Sequence, residues 1–400
     1  MLSTAHGYHQ RRRRSGSQRP VRQSLRGNDD VRLSKWPPAT CFAGGHSLLF
    51  LFRFMKIFHC DQCGHLVYFE NTSCLNCGTQ LAYLPERGEI ASLVPSADGF
   101  WQSSDGISYR QCENYASQDV CNWAVEGSDP QPYCLSCRLT TVLPYLSSDG
   151  NKQAWAKLEA AKRRLIYSLV GLNLPIVPRT EDPAEGLEFQ FLEDQPGAPV
   201  LTGHDEGVIV INIAEADDSE REKRRSQLHE PYRTILGHFR HEVGHYYWDR
   251  LIKDTEYLEP YRRLFGNEEA DYGEALKVHY ANGAPADWQE RFISTYASSH
   301  PWEDWAESWA HYLHMTDTLE TAAACGVSLM PARQDEPTLE QISDESFESM
   351  IAGWIPLTHM LNNLNRGLGL SDGYPFVLSE PVLQKLKFIH EVVSAKKQVP

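Results

Sequence analysis

The segment HFRHEVGHYYWDRL, residues 238–251, determines how this 400-residue sequence is interpreted. Its pattern predicts a helix, on which His241 and His245 project from the same face, one turn apart. Two imidazoles so placed can bind one zinc ion, and Glu242 lies close enough to reach a metal-bound water. Zinc lowers the pKa of such a water to about 7, so a carboxylate can take its proton as it attacks a carbonyl. The segment therefore predicts a catalytic-type zinc site with Glu242 as the general base.

A zinc site of this kind needs a third ligand from elsewhere in the chain. Metzincins place Gly and His three and six residues after the second histidine, and Trp248 and Leu251 at those positions exclude that class. Gluzincins take a Glu from a later helix, followed four residues on by an acid that orients a zinc-binding histidine. Glu303, 58 residues after His245, and Glu307 match this pattern. We predict Glu303 as the ligand and Glu307 as the orienting acid, and the reverse assignment stays open because spacing alone cannot separate them.

The residues around both motifs indicate a buried site. Trp302, Trp305 and Trp309 bracket the two carboxylates, and buried carboxylates need partners, which favours ligation over a solvated helix face. Four large side chains of the first motif are expected to wall the site: Phe239, Tyr246, Tyr247 and Trp248. Four nearby histidines are expected to be surface or hydrogen-bonded core residues instead of ligands: His238, His300, His311 and His314.

Tyr296 is a candidate for stabilising a developing oxyanion. It lies seven residues before Glu303, a placement that resembles the helper tyrosine of lethal-factor-like gluzincins. The alternative is an ordinary core tyrosine, which is the more common role of a lone tyrosine.

Eight of the ten cysteines fall in one window, from Cys60 to Cys137. The first four form a CxxC-x10-CxxC pattern with a glycine after each pair: Cys60, Cys63, Cys74 and Cys77. The glycines allow the turn in which backbone N–H groups approach thiolates, so the pattern predicts a structural zinc ribbon. A single iron ion or a redox pair shares this spacing and is the alternative.

The other four clustered cysteines have the less regular spacing C-x8-C-x12-C-x2-C: Cys112, Cys121, Cys134 and Cys137. We interpret them as a second four-cysteine zinc site, the alternative being two buried free thiols beside an unrelated CxxC. Four thiolate ligands leave no open coordination position, so both sites would be structural. The expected content is therefore one catalytic zinc ion and one or two structural zinc ions.

Charge and hydropathy limit the functional classes. The net charge is −15, but residues 1–54 carry ten basic and two acidic residues, leaving 28 basic against 51 acidic residues beyond them. An acidic body disfavours binding to nucleic acid or anionic membranes. No segment approaches the roughly 20 apolar residues needed to span a bilayer. Because CxxC pairs suit metal binding better than disulfides, we expect a reducing, cytoplasmic location.

Hydrophobic periodicity outlines the main elements. It predicts a helix over 152–172, strands at 187–191 and 208–213, and a helix from Pro231 to about Ile252. Further helices are expected at 287–297 and 301–314, and then over most of the C-terminal region. Leu66-Val67-Tyr68-Phe69 is strand-like.

The order of these motifs resembles the bacterial family of zinc-ribbon, zinc-binding metallopeptidases. The resemblance covers about residues 55–395 and includes MKIFHCDQCG at the ribbon, HFRHEVGHYYWDRL and HPWEDWAESWAHYLHM. It implies an α+β protein in which a zinc-ribbon module precedes a mostly helical, zincin-like domain with a small sheet. We divide the chain into a basic, disordered extension or mis-assigned start (1–54), a zinc ribbon (55–82), a second cysteine-rich zinc-binding segment (83–150) and a zincin-like catalytic domain (151–395).

The predicted function is that of a zinc-dependent, gluzincin-type peptidase acting on a protein or peptide, with a possible protein partner for the ribbon. One alternative is a non-catalytic, zinc-dependent interaction module on the same scaffold. Another is hydrolysis of a non-peptide amide, because HExxH specifies water activation and not the acyl group attacked. The sequence specifies neither the cleavage preference nor the oligomeric state.

Replacing both His241 and His245 by Ala should remove one exchangeable zinc ion per chain, because a single carboxylate cannot retain the metal. Metal analysis of the purified variant beside the unaltered protein measures the difference. Equal zinc content in the two proteins would contradict the assignment of these histidines.

Overall fold

The computed structural model describes residues 57–97, 99–228, 234–331, 333, 338–339 and 346–396, without the side chains of 224–228. The predictions for residues 1–54 and for a helix start at Pro231 therefore lie outside the described residues. The described chain is a mixed α+β protein, as predicted: short strands around cysteine clusters come first, followed by a mostly helical domain with a small sheet.

The N-terminal part consists of short antiparallel strands and one helical turn. Its elements are β1 (Phe58–His59), β2 (Leu66–Val67), β3 (Leu81–Leu84), β4 (Glu89–Ser92), β5 (Val94–Pro95), β6 (Trp101–Gln102), β7 (Ser108–Gln111), α1 (Glu113–Ala116) and β8 (Ala124–Glu126). Strand β1 pairs with β2 and β3 with β4, while β5 to β8 form one four-stranded sheet in sequence order. The strand-like stretch 66–69 contributes only β2.

The second part carries the long helices and a four-stranded sheet. Its elements are β9 (Thr140–Val142), α2 (Asn151–Gly171), β10 (Glu188–Leu192), β11 (Gly203–Asp205), β12 (Val208–Asn212), α3 (Asp218–Leu228), α4 (Ile235–Leu251), α5 (Leu258–Phe265), α6 (Tyr272–Asn282), α7 (Trp288–Arg291), α8 (Pro301–Ala324), α9 (Phe347–Gly367) and α10 (Glu380–Lys396). The strand order is β11-β12-β10-β9; β10 is parallel to both its neighbours and β11 is antiparallel to β12. Strand β9 lies within residues 83–150, the predicted cysteine-rich segment, so this sheet joins that segment to the helical domain.

Local sequence signals start the two helices that position the candidate site. The Thr234 hydroxyl accepts a hydrogen bond from Gly237 N at 2.9 Å and caps α4. At α8, His300 Nδ1 accepts from Trp302 N at 3.1 Å, and Pro301 occupies the first helical turn, where its missing N–H costs nothing. Both helices therefore begin at residues that satisfy otherwise unpaired backbone N–H groups.

Helices α4 and α8 pack closely against each other at Gly244. A Cβ atom built there would lie 3.0 Å from the Ala306 Cα and 3.2 Å from the Trp309 side chain. The Trp305 indole donates to the Gly244 carbonyl at 2.8 Å, and Trp305 and Trp309 are fully buried. A residue without a side chain is therefore needed where the two helices meet.

A buried ion pair ties α8 to the C-terminal helix. Lys385 Nζ of α10 lies 2.6 Å from Asp304 Oδ2, and both side chains are buried. Lys385 also donates to the Arg291 carbonyl at 2.7 Å. Removing either partner would leave an uncompensated buried charge, so the pair fixes the register of α10 on α8.

Two helix predictions differ from the structure. A continuous helix over 287–297 is wrong: α7 ends at Arg291, and only a 3-10 turn follows at Tyr296–Ser298. Phe292 is extended, which allows the Ser294 hydroxyl to cap Ala297 N at 3.0 Å and to face α8. Helix α8 also continues ten residues beyond the predicted end at His314, to Ala324.

None of the helices in the described ranges combines the length and the apolar character needed to cross a bilayer.

Gly244→Ala should destabilise the protein by about 1–3 kcal/mol, because the added methyl group overpacks the α4–α8 contact. The shift in the denaturant midpoint measures the effect. Gly273→Ala is the matched control, since a Cβ at that helical position meets only Asp271 Oδ1 at 3.6 Å. Equal midpoints for the two variants would argue against a tight contact at Gly244.

Candidate metal centres

The structure brings together three side chains that the sequence places far apart. Glu303 Oε2 lies 3.0 Å from His241 Nε2 and 3.5 Å from His245 Nε2. One ligand atom from each residue lies within 4.8 Å of the other two. His245 and Glu303 are buried, and His241 is largely so. Two turns of α4 and the first turn of α8 therefore present three potential ligands to one point.

The geometry fits a zinc ion. A tetrahedral zinc with bonds of about 2.0–2.1 Å places its ligand atoms about 3.3 Å apart, close to the two distances measured here. Glu303 Oε2 is buried and makes no geometrically acceptable hydrogen bond, despite the two nitrogens beside it. Burial opposes ionisation of Glu303, but the imidazoles of His245 and His241 hold its pKa well below the usual value. An ionised, buried oxygen without a hydrogen bond suits coordination by a cation.

Glu307 lies behind His241, on the side away from the three converging atoms. Its Oε1 is 2.7 Å from His241 Nδ1, and the Ser294 hydroxyl donates to its Oε2 at 2.6 Å. Burial opposes ionisation of Glu307, but the contact with His241 keeps its pKa lowered. A carboxylate on Nδ1 fixes the imidazole so that Nε2 faces a metal. This arrangement favours Glu303 over Glu307 as the third ligand.

Glu242 and Tyr296 line a cleft of about 360 Å³ that also reaches His241. Burial raises the pKa of Glu242, although the histidines beside it act in the opposite direction. The Tyr296 ring lies 5.9 Å from the His241 ring, centroid to centroid. Burial also raises the pKa of Tyr296, so its hydroxyl remains a proton donor at neutral pH. A carboxylate and a phenol thus face the same cleft beside the three potential ligands.

None of the four aromatic residues suggested as walls of the site is among the residues that line this cleft. Phe239 packs on Phe189 of the sheet, and the Tyr247 hydroxyl donates to the Pro175 carbonyl at 3.0 Å. Successive helical residues turn by about 100°, which directs Phe239 and Tyr247 away from His241 and into the core. The aromatic residues that line the cleft come from elsewhere in the chain: Tyr280, Tyr296, Tyr374 and Phe376.

The four nearby histidines are hydrogen-bonded or paired instead of joining the three-residue cluster. His238 Nδ1 lies 3.2 Å from Glu215 Oε2, and His311 Nδ1 lies 2.9 Å from the Tyr374 hydroxyl. His314 Nδ1 lies 3.4 Å from the Arg240 guanidinium. His300 caps α8 as described above. Three of them also line the cleft: His238, His311 and His314.

The first four cysteines converge with distances that suit zinc. Cys60 Sγ lies 3.7 Å from Cys77 Sγ, and Cys63 Sγ lies 3.6 Å from Cys74 Sγ. A tetrahedral zinc with bonds of about 2.3 Å separates its sulfurs by about 3.8 Å, whereas a disulfide requires about 2.05 Å. Gly64 has φ +69° and donates its N–H to the Cys60 carbonyl at 2.7 Å. The predicted glycine turn is therefore present at this knuckle.

The second four cysteines also converge and are all buried. Cys121 Sγ lies 3.8 Å from Cys134 Sγ and 3.7 Å from Cys137 Sγ. Backbone N–H groups approach the sulfurs, with Cys134 N at 3.4 Å from Cys112 Sγ. Burial raises the pKa of Cys134 well above that of an ordinary thiol, so a free thiol there would stay protonated. A bound cation would compensate the thiolate charge.

Helix α2 borders this second cluster with buried charged residues. Cys137 Sγ lies 3.9 Å from Glu159 Oε2, and Lys162 Nζ lies 2.9 Å from Glu159 Oε1. The Arg163 guanidinium donates to the Val120 carbonyl at 2.7 Å. Burial would lower the pKa of Arg163, but neighbouring Cys121 and Glu159 raise it. Lys162 therefore compensates Glu159, while the buried Arg163 cation offsets part of the negative charge at the cluster and joins it to α2.

The described residues form a mixed α+β protein with two four-cysteine clusters and one centre made of two histidines and a glutamate. Zinc is the metal expected at sites with these ligands. The family model described as "Putative zinc-binding metallo-peptidase" matches residues 151–392, and a zinc-ribbon domain model matches residues 57–148. The chain belongs to this zinc-binding metallopeptidase family. Both family models and the cysteine clusters support zinc as its metal.

Similar proteins occur in mycobacteria. Uncharacterized proteins of Mycobacterium bovis and of Mycobacterium tuberculosis strains CDC 1551 and H37Rv are each 44% identical to this chain over 340 residues. The matched region covers 85% of this chain and 95% of each relative. No solved structure matches the chain significantly.

Sequence reasoning missed several residues of the centre. The Tyr272 hydroxyl donates to Glu303 Oε1 at 2.6 Å, Ser294 holds Glu307, and the Trp302 ring lies 3.8 Å from the His245 ring. Tyr272 and Ser294 belong to no motif, and only the tertiary fold brings them to the carboxylates. The sequence indicated Trp302 only as one of the tryptophans that bracket the carboxylates, and not as a residue in contact with His245.

Glu307→Ala should weaken zinc binding by about 10- to 100-fold, since His241 loses the group that orients it. Glu303→Ala should have the larger effect, because it removes a ligand atom. Competition with a chromophoric chelator measures both affinities. The opposite order, with Glu307→Ala the more damaging change, would assign the ligand role to Glu307.

Proposed function

We propose that this protein is a zinc-dependent, gluzincin-type peptidase whose catalytic zinc is held by His241, His245 and Glu303. The observation that carries the proposal is the convergence of two Nε2 atoms and Glu303 Oε2 beside a cleft that also contains Glu242. Membership of the metallopeptidase family supports a peptide as the substrate class.

Zinc bound at this centre would supply a Lewis acid that polarises a carbonyl and lowers the pKa of water to near neutrality. Glu242 then accepts the proton of the attacking water on a carboxylate oxygen and passes it to the leaving amine. Tyr296 donates its hydroxyl to the carbonyl oxygen as negative charge develops there. Glu307 holds His241 in one tautomer, with Nδ1 protonated toward its carboxylate.

The four-cysteine clusters have a structural role in this proposal, with one zinc ion in each. The ribbon, residues 55–82, presents exposed apolar side chains at Leu66, Tyr68 and Leu75, which suit contact with a protein partner. The cysteine-rich segment at 83–150 then connects the ribbon to the catalytic domain at 151–395. Eight thiols at metal-binding instead of disulfide distances support a reducing, cytoplasmic location.

Glu242→Gln should lower peptide hydrolysis by about 100- to 10,000-fold, because the amide cannot accept a proton from water. The variant should keep its zinc content and its denaturant midpoint, since Gln preserves the shape of the side chain. A mixed library of fluorogenic peptides, with products followed by mass spectrometry, measures the loss.

The same measurement separates this proposal from a non-catalytic scaffold. Hydrolysis by the unaltered enzyme that falls in Glu242→Gln supports a peptidase. If the zinc-loaded, unaltered protein cleaves no peptide in the library, the peptidase proposal fails.

A further inference from the structure

The two carboxylate oxygens of Glu303 have different surroundings. Oε2 faces the two histidine Nε2 atoms, whereas Oε1 accepts a hydrogen bond from the Tyr272 hydroxyl at 2.6 Å. A tyrosine hydroxyl carries its proton at neutral pH, so it is the donor in this hydrogen bond. Hydrogen bonds from a neutral donor to a carboxylate are short and comparatively strong.

His300 fixes the position of Tyr272 relative to Glu303. Its Nδ1 accepts from Trp302 N at the start of α8, while its Nε2 lies 3.0 Å from the Ala270 carbonyl. One imidazole therefore joins the helix that carries Glu303 to the residues that lead into α6. This arrangement requires the proton on Nε2, because Nδ1 is already an acceptor.

The Tyr272 side chain is held by rings and a helix cap without being part of the core. Its ring packs edge-on against His300 at 5.3 Å and against Trp302 at 5.9 Å. The preceding residue, Asp271, caps α6 by accepting from Glu274 N at 2.9 Å. Tyr272 remains 38% exposed, so removal of its hydroxyl leaves no cavity in the hydrophobic core.

We propose that Tyr272 is a positioning residue that keeps Glu303 a one-oxygen ligand of the metal, with His300 holding Tyr272 in place. This inference rests on the proposed zinc site at His241, His245 and Glu303. The hydrogen bond from the phenol makes Oε1 a weaker ligand than Oε2, which faces the two histidine nitrogens. A carboxylate that binds through both oxygens would fill the coordination position that a catalytic zinc must keep open.

The test uses the full-length protein with cobalt(II) in place of the exchangeable zinc. A mild chelator first removes the exchangeable metal, and metal analysis verifies that the four-cysteine sites keep their zinc. Cobalt(II) is then titrated while its visible d–d absorption is recorded, because these bands weaken when coordination rises from four to five. The variants are Tyr272→Phe and, as a matched control, Tyr247→Phe. Tyr247 lies on the ligand helix and donates to a backbone carbonyl outside the metal site.

Tyr272→Phe should weaken the d–d absorption per bound cobalt and lower cobalt affinity by about 10- to 100-fold, while Tyr247→Phe keeps the unaltered spectrum. An unchanged spectrum in Tyr272→Phe overturns the inference but leaves the zinc site intact. A similar loss of affinity in both variants, without a spectral change, shows a general structural effect and also overturns it. If the unaltered protein binds no exchangeable cobalt, the proposed metal site itself fails.

Discussion

The contact between α4 and α8 at Gly244 is the constraint on which the candidate catalytic centre depends. His245 directly follows Gly244, and Glu303 lies one turn before Ala306, so the distance between the helices sets the distance between the potential ligands. A larger residue at Gly244 would push the backbones apart, since the Ala306 Cα already lies 3.0 Å from the position of a Cβ there. Trp305 reinforces the approach by donating to the Gly244 carbonyl. Backbone packing, and not only the identity of the ligands, therefore determines whether a zinc ion fits.

The sequence predicted the parts of the site whose spacing is set by coordination chemistry. Two histidines four residues apart must share a helical face, and CxxC pairs must share a turn, whatever the surrounding fold. Tyr272 and Ser294 carry no such constraint and reach Glu303 and Glu307 only through tertiary packing. The helix expected over 287–297 is wrong for the same reason: the chain is extended at Phe292, and the contact with Glu307 of α8 holds Ser294 in the segment that follows.

The cysteine-rich segment, residues 83–150, packs closely against the helical domain, although the sequence analysis treats the two as separate segments. Strand β9 pairs with β10 at one edge of the sheet that also contains β12. Glu159 Oε2 of α2 lies 3.9 Å from Cys137 Sγ. Tyr167 of α2 also packs against Phe58 and Phe69 of the ribbon. The boundary between the two parts therefore crosses a shared sheet and a shared aromatic cluster instead of a flexible linker.

The Asp304–Lys385 pair affects the order in which the centre can be completed during translation. Asp304 is buried beside Glu303, and its partner follows 81 residues later in the chain. A nascent chain that has emerged only as far as α8 holds His241, His245 and Glu303 but leaves the Asp304 carboxylate without its cation. Desolvating that carboxylate alone is costly, so α8 is not expected to settle on α4 before α10 has been synthesised. The three potential metal ligands are therefore synthesised before the helix whose lysine completes the packing around them.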